Sequence, residues 1–376
     1  MTQVRPSRVV FDKGPNGNGA EFSQPADIIR ADTPDEVDAA FTAMQQAQAD
    51  GKWLAGYVSY EFGYLTSHKL EKLMPENRET PLIHFGVFDA PQSQRAENTE
   101  THAELDALQP QWSAQQYGTA FDVVHDYIGA GDIYQVNLTF PIATRSSASS
   151  NALYASLTHR QNVPHGALVD LEGVALLSRS PELFFSLSAK GELKTKPMKG
   201  TAPRGNTPGE DDALRDGLKA SEKNRAENLM IVDLLRNDMS RVSEIGSVKV
   251  PELFAVERFA TLHQMTSTIT SKVVDGTNIK DLFMALFPCG SITGAPKVRA
   301  MEIISEVETQ ARGAYCGSIG WIAPSGAMEF SVAIRTLMYR QDGTVQLNVG
   351  GGVVYDSTAQ DEYDEALLKA QFAKLS

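Results

Sequence analysis

Apolar residues recur along this chain in two rhythms. Over residues 220–241 the spacing is helical: Leu229, Met230, Ile231, Leu234 and Leu235 form a broad stripe. Glu227 and Asp238 fall on the same line, since Glu227, Met230, Ile231, Leu234 and Asp238 stand at i, i+3, i+4, i+7 and i+11. A carboxylate at the edge of an apolar face is costly unless it is paired, protonated or bound to metal. Glu227 is therefore either half of an ion pair, with Arg225 or Arg241 as candidate partners for the acids here, or a functional group. Helices are also predicted over 33–49, 113–130, 281–286, 296–307 and 359–375. Thr33 and Ser113 serve as caps for two of them, and Pro34, Asp35 and Glu36 occupy a first turn.

Elsewhere the rhythm is that of short strands, predicted over 8–12, 53–60, 84–88, 132–140, 173–179, 183–187, 192–195, 248–256, 260–271, 315–322, 327–339 and 345–349. The strand 132–140 puts Tyr134, Val136, Leu138 and Phe140 on one face and Gln135 and Asn137 on the other, a polar face that ordinarily meets water. Asp342-Gly343 reads as a hairpin turn, 205–217 as an acidic turn region, and polar 91–112 as a linker. The linker divides a reduced N-terminal portion, 1–112, from a main body, 113–376. Helices do not regularly separate the strands, so the pattern predicts a mixed α+β chain with largely antiparallel sheets.

The formal charge of −13 argues against nucleic acid or anionic membrane as the main partner. No apolar run is long enough to span a bilayer, and the N-terminus lacks the apolar segment of a signal peptide. The two cysteines, Cys289 and Cys316, form no C-x-x-C and suit a reducing cytoplasm. Against this acidic background, residues 194–205 gather Lys194, Lys196, Lys199 and Arg204 among Pro197, Gly200, Pro203 and Gly205. Such a stiff basic loop is a candidate anion site. Lys199 is either a solvated turn lysine or, if its pKa is lowered, a nucleophile.

Residues 287–297 superficially resemble a phosphate loop. However, two residues separate Gly294 from Lys297, so the Walker pattern fails; what remains is a helix start whose N–H groups could hold a carboxylate. Gly350, Gly351 and Gly352 interrupt a strand and suggest close approach of a ligand or backbone. Asp361, Glu362, Asp364 and Glu365 suit a helix N-terminus, yet Glu362 and Glu365 with Glu227 could also bind a hard cation such as Mg²⁺. His263, alone in a strand, reads first as a satisfied core histidine.

Eight stretches in order resemble one family, the chorismate-utilising enzymes: 132–138 (Asp-Ile-Tyr-Gln-Val-Asn-Leu), Ser180-Pro181-Glu182, Lys199-Gly200-Thr201, 227–238 (from Glu227-Asn228-Leu229 to Arg236-Asn237-Asp238), 290–297, 315–320 (Tyr-Cys-Gly-Ser-Ile-Gly), Ala333-Ile334-Arg335-Thr336, and 350–357. The resemblance covers roughly 113 to the C-terminus. It implies two facing sheets with helices outside and an active site in the cleft between them. Members that form anthranilate carry alanine immediately before Gly-Thr; members that aminate chorismate at C4 carry lysine, as here at Lys199.

The implied chemistry replaces the C4 hydroxyl of chorismate with ammonia. The lysine attacks ring C2 as the hydroxyl leaves, and ammonia then displaces it by attack at C4. Glu182 matches the general acid, Glu227 and Glu365 the Mg²⁺ ligands, and Glu362 an outer partner. Tyr315, Arg335 and the Gly350, Gly351 and Gly352 amides match the clamp on the second carboxylate; Gly200, Thr201 and Ser291 match further substrate contacts, and His263 an orienting group near the ring. Gln135 stands among the substrate contacts where isochorismate-forming members place a lysine base, and a glutamine cannot activate water. Val9-Val10-Phe11-Asp12-Lys13 departs from the family's amino-acid-binding motif. Nothing resembles a glutamine amidotransferase, so the resemblance implies ammonia from solution or from a separate glutamine amidotransferase subunit. The alternatives are an anthranilate-forming enzyme and a non-catalytic chorismate-binding subunit, the latter expecting loss of Glu182 or a metal carboxylate.

Overall fold

The computed structural model describes residues 7–92, 103–259 and 262–375. Two antiparallel sheets face one another with helices packed outside. In the first, the neighbours run Gly294–Ala295, Gln135–Arg145, Thr344–Val353, Thr336–Tyr339, Ala175–Ser180, His165–Asp170, Arg8–Phe11 and Ala20–Ser23, with Gln109–Pro110 also on Gln135–Arg145. In the second they run Met198–Pro203, Leu262–Lys272, Glu192–Lys196, Leu183–Leu187, Met328–Val332, Ser318–Ile322, Trp53–Val58, Ile83–Phe88 and Asp27–Ala31, with Lys249–Arg258 also on Leu262–Lys272. Among the described residues no helix is long and apolar enough to cross a membrane.

The boundary expected at residue 112 cuts across both sheets. Arg8–Phe11 pairs with His165–Asp170 in one, and Trp53–Val58 pairs with Ser318–Ile322 in the other. The expected linker lies partly outside the described residues; from Ala103 onward it packs down, with Ala103, Leu105 and Trp112 buried. Its polar composition reflects a single layer of anchors among exposed neighbours.

Several elements differ from the pattern. The strand Gln135–Arg145 lies inside its sheet with both faces covered: Gln135 is 0% exposed, while Tyr134 just before it is 67% exposed. The polar face that should meet water instead faces the cleft. The expected basic loop is the strand Met198–Pro203, its register shifted between Met198 and Thr201 around Gly200, whose φ of +88° needs no Cβ. The acidic stretch after it is the helix Pro208–Ala220, capped by Thr207 with Pro208 in its first turn. The predicted strand 327–339 is two strands in different sheets, broken at Ala333 to Arg335, where Arg335 has φ +50°. The glycines do not interrupt their strand: Gly350, Gly351 and Gly352 lie within Thr344–Val353, opposite Thr139, Leu138 and Asn137. The start of helix Lys297–Val307 is not an open set of N–H groups either, since Gly294–Ala295 is buried and pairs with Gln135 and Val136, and Lys297 pairs with Asp238.

A candidate active site between the sheets

The chain crosses from the first sheet to the second between Ala175–Ser180 and Leu183–Leu187, and back between Met328–Val332 and Thr336–Tyr339. The two crossings are tied side by side. Arg179 N donates to Arg335 O at 2.9 Å, Val332 N to Glu182 O at 3.1 Å, and Ser180 Oγ to Val332 O at 2.6 Å. Pro181 prevents the first crossing from continuing either ladder. Glu182 and Arg335 therefore arrive together at one end of the cleft.

Glu182 is buried and accepts a hydrogen bond from Ser291 Oγ at 2.6 Å. Burial pushes its carboxyl up to about 7, against the opposing pull of Ser291, Lys199 and Arg335. Burial draws the Arg335 guanidinium down, with Glu182 opposing. Lys199 reaches in from Met198–Pro203. Burial lowers its amine below the ordinary lysine range, Lys369 acts in the same sense, and Glu227, Glu182 and Glu365 oppose. Two titratable groups in one cleft are thus pushed in opposite directions, the acid up and the base down.

Across from Lys199 stand Gly352 and Gln135. A Cβ built on Gly352 would come within 2.8 Å of Gln135 Nε2 and 3.1 Å of Lys199 Nζ. Both polar atoms of the Gln135 amide are buried and lack a hydrogen-bond partner. Buried amides are rarely left so, which marks them as aimed at a polar ligand. A Cβ on Gly350 would instead meet the backbone carbonyl of Leu138 at 2.2 Å. Gly350→Ala is therefore expected to cost about 1–3 kcal/mol of stability by overpacking, read as a lowered denaturant midpoint. Gly352→Ala meets only side-chain ends; it should keep its midpoint and raise the KM for the ligand of the cleft.

The helix Glu222–Ser240 underlies Lys199. A Cβ on Gly200 would meet Asn224 at 2.9 Å, and Ser267 Oγ donates to buried Asn228 at 2.6 Å. Glu227 lies between these anchors, and its charge acts on both Lys199 and Glu362. Glu362 accepts from Ser357 Oγ at 2.7 Å, and burial raises its carboxyl. Burial would raise Glu365 too, but the ion pair with Lys369 at 2.8 Å, with Lys199 and Lys223 acting in the same sense, leaves the carboxyl lowered. Three carboxylates are hard oxygen donors of the kind Mg²⁺ takes, so the donor set fits that ion. As the side chains stand, no group of three acidic, histidine or cysteine residues among those described closes into an ion-holding cluster. Lys369, which also donates to Gly350 O at 2.9 Å, and Ser357 engage two of the three acids.

Sequence reasoning missed several residues, and His263 follows the first of its two readings, a satisfied core histidine. His263 is fully buried and its Nε2 pairs with Asp211 Oδ1 at 2.8 Å; Asp211 also binds Arg204 and Arg258. The neighbouring Gln264 is the residue that reaches the strand of Lys199, donating to Gly200 O at 2.7 Å and accepting from Thr201 Oγ1 at 3.1 Å. Tyr315 is buried with Arg312 and Cys316 as its electrostatic neighbours. Lys369 stands one helical turn after Glu365, a spacing that was readable.

A protein family described as chorismate binding enzyme matches residues 7–374. Aminodeoxychorismate synthase component 1 of Klebsiella aerogenes is 40% identical over 310 residues, covering 82% of this chain and 68% of that protein. The Escherichia coli (strain K12) protein of the same name is 47% identical over 261 residues, covering 69% of this chain and 57% of its own. The matched stretch thus spans 68% and 57% of these two relatives. Among solved structures, anthranilate synthase component I from Streptococcus pneumoniae TIGR4 superposes with a TM-score of 0.80 at 24% identity, covering 99% of this chain and 93% of that one, a likeness of fold.

Proposed function

The chain belongs to the chorismate binding enzyme family, and on that premise we propose that it replaces the C4 hydroxyl of chorismate with ammonia to give 4-amino-4-deoxychorismate. The observation that carries this reading is the Lys199 amine, lowered by burial and facing Gln135 and Gly352 beside a Glu182 carboxyl raised to about 7. An amine can attack only when neutral, and a general acid can act only when protonated. Burial shifts each group toward the state its role requires, the amine downward and the carboxyl upward.

Lys199 Nζ forms a bond to ring C2 while the ring π electrons shift and the C4–O bond breaks. Glu182 gives its proton to the departing oxygen, which leaves as water. Ammonia then bonds to C4, the electrons shift back, and the C2–N bond breaks; the proton lost by the new amine balances the one Glu182 gave up. Arg335, Tyr315, Ser291, Gly200, Thr201 and the amides of Gly350, Gly351 and Gly352 bind and orient chorismate in this scheme. Glu227 and Glu365, with Glu362 beside them, would hold Mg²⁺, which would supply neutralisation of the ring carboxylate. Gln135 donates and accepts hydrogen bonds but cannot take a proton from water, which disfavours the isochorismate outcome.

Ammonia is assigned to a separate glutamine amidotransferase chain, as the "component 1" in the relatives' names suggests, and the buried free thiols Cys289 and Cys316 suit a cytoplasmic setting. Incubating the purified chain with chorismate, Mg²⁺ and ammonium at alkaline pH, and identifying the product by mass and NMR, tests the reading. Aminodeoxychorismate is the expected product; anthranilate as the main product would transfer the chain to the other branch.

A further inference from the structure

The strand that carries Lys199 is weakly held by its own ladder. Met198–Pro203 lies at the end of its sheet, with Leu262–Lys272 as its single strand neighbour among the described residues. Its last registered pair, Pro203↔Leu262, includes a residue with no N–H to give. Between Met198↔Thr266 and Thr201↔Gln264 the strand takes three steps while its neighbour takes two, so Lys199 and Gly200 together stand opposite Met265. This is a β-bulge, and Gly200 takes the left-handed φ of +88° within it. A bulge bends its strand and re-aims the side chain beside it, and it gives up regular ladder bonds in doing so.

One side chain bridges the bulge. Gln264 Nε2 donates to Gly200 O at 2.7 Å, and Gln264 Oε1 accepts from Thr201 Oγ1 at 3.1 Å. Both ends of a single amide are thus used on the two residues that follow Lys199. The helix Glu222–Ser240 closes on the same residue through Asn224. A Cβ on Gly200 would lie 2.9 Å from that side chain, and Asn224 Nδ2 is itself tied to Ser221 Oγ at 2.9 Å. At the far end of the lysine, Nζ stands 3.1 Å from where a Cβ on Gly352 would be. The lysine stem is four carbons long and flexible, so a small rotation at the bulge displaces Nζ further than it displaces the backbone.

We propose that Gln264 is a positioning residue for Lys199: its amide closes the bulge and holds the Lys199 amine in place across from Gln135 and Gly352. Gln264 touches no reacting atom; it acts through the strand. That Lys199 is the attacking group rests on the amination reading above, whereas its placement by Gln264 rests on the bulge and its bonds.

The test uses the intact chain and three readouts. These are chorismate consumption with ammonium, circular dichroism, and acylation of Lys199 by an amine-directed reagent at one fixed pH, read by peptide mass. Gln264→Met keeps the length of the side chain and removes both hydrogen bonds. It should lower kcat about 10–100-fold, the order lost when a reacting group is misplaced by about an ångström, and change the chorismate KM by less than about twofold. Lys199 should be acylated several-fold faster than in the wild type, while the other lysines keep their rates. Gln264→Glu keeps the acceptor for Thr201 Oγ1 and loses the donor to Gly200 O. It should follow Gln264→Met, and it decides the matter if that variant does not fold. In a Lys199→Ala background, Gln264→Met should lower the residual rate no further, because residues that act as one unit are not additive. Unchanged Lys199 acylation or an unchanged kcat in a folded variant would overturn the proposal. A further loss in the Lys199→Ala background would overturn it too, since Gln264 would then act on something other than Lys199. Full chorismate consumption by Lys199→Ala alone would sink the amination reading and leave acylation to decide the placement of the amine, so the two failures are told apart.

Discussion

Replacing Lys199 by alanine is expected to lower the rate of amination by ~10³-fold or more, the order seen when a covalent nucleophile is removed, while chorismate still binds. The argument rests on what the site gives this side chain. Lys199 is carried on a strand clamped from two sides, by Gln264 at Gly200 O and Thr201 and by Asn224 beneath Gly200. Its amine is drawn below the ordinary lysine range by burial. A lysine needed only as a counter-charge would be surrounded so as to keep its proton; here burial is the larger influence. Lys199→Arg separates the two roles, because a guanidinium stays protonated and cannot attack. If Lys199 merely neutralises a carboxylate, arginine should restore much of the rate; if it is the nucleophile, arginine should be as inactive as alanine. Intact mass of the wild-type chain with chorismate and Mg²⁺ but no ammonia should show an adduct of chorismate less water, absent from both variants. A full rate with either variant would remove Lys199 from the mechanism.

The parts of this protein legible in its sequence are those fixed by local physics. The helix Glu222–Ser240, the capped helix Ala114–Gly129 and the hairpin at Asp342-Gly343 are set by apolar spacing, by Ser113 accepting from Gln116 N, and by a glycine at φ +80°. Motif residues could be named one by one, and Lys199, Glu182, Ser291, Gln135 and Gly352 do lie in one cleft. What local pattern cannot carry is which sheet a strand joins. Residues 327–339 read as one strand because alternation continues through the crossing, whereas the break depends on the positive φ of Arg335 and on bonds to Arg179 and Glu182, 150 residues or more earlier. Burial on both faces of Gln135–Arg145 was likewise invisible, since a polar face that lines a cleft has the same composition as one that meets water. The pair His263 and Gln264 shows the same limit at one residue: a motif can place a strand, but only the register Thr201↔Gln264 decides which side chain meets Gly200 and Thr201.

Glu182→Gln is expected to lower kcat by about 10²–10⁴-fold, the usual contribution of a general acid, and to change the shape of its pH dependence. Glutamine keeps an oxygen for the Ser291 hydroxyl, which donates at 2.6 Å, so the turn 290–292 and the paired crossings should hold and the fold should survive. The sign of the pH effect follows from the protonation state each step needs. In the wild type, burial holds the Glu182 carboxyl at about 7, so kcat should fall as pH rises through that value and the acid loses its proton. Lys199 acts in the opposite sense, because protonation at low pH removes the nucleophile. The wild-type profile should therefore be bell-shaped, with the two limbs belonging to the coupled pair and not to either residue alone. In Glu182→Gln the alkaline limb should vanish and the acidic limb remain. Comparing the two enzymes at equal concentrations of free ammonia removes the titration of the second substrate from the comparison. A variant that keeps the alkaline limb would show that some other group donates the proton. A variant that keeps the wild-type rate would show that the hydroxyl leaves without help, and the raised carboxyl of Glu182 would then serve only to avoid a buried charge.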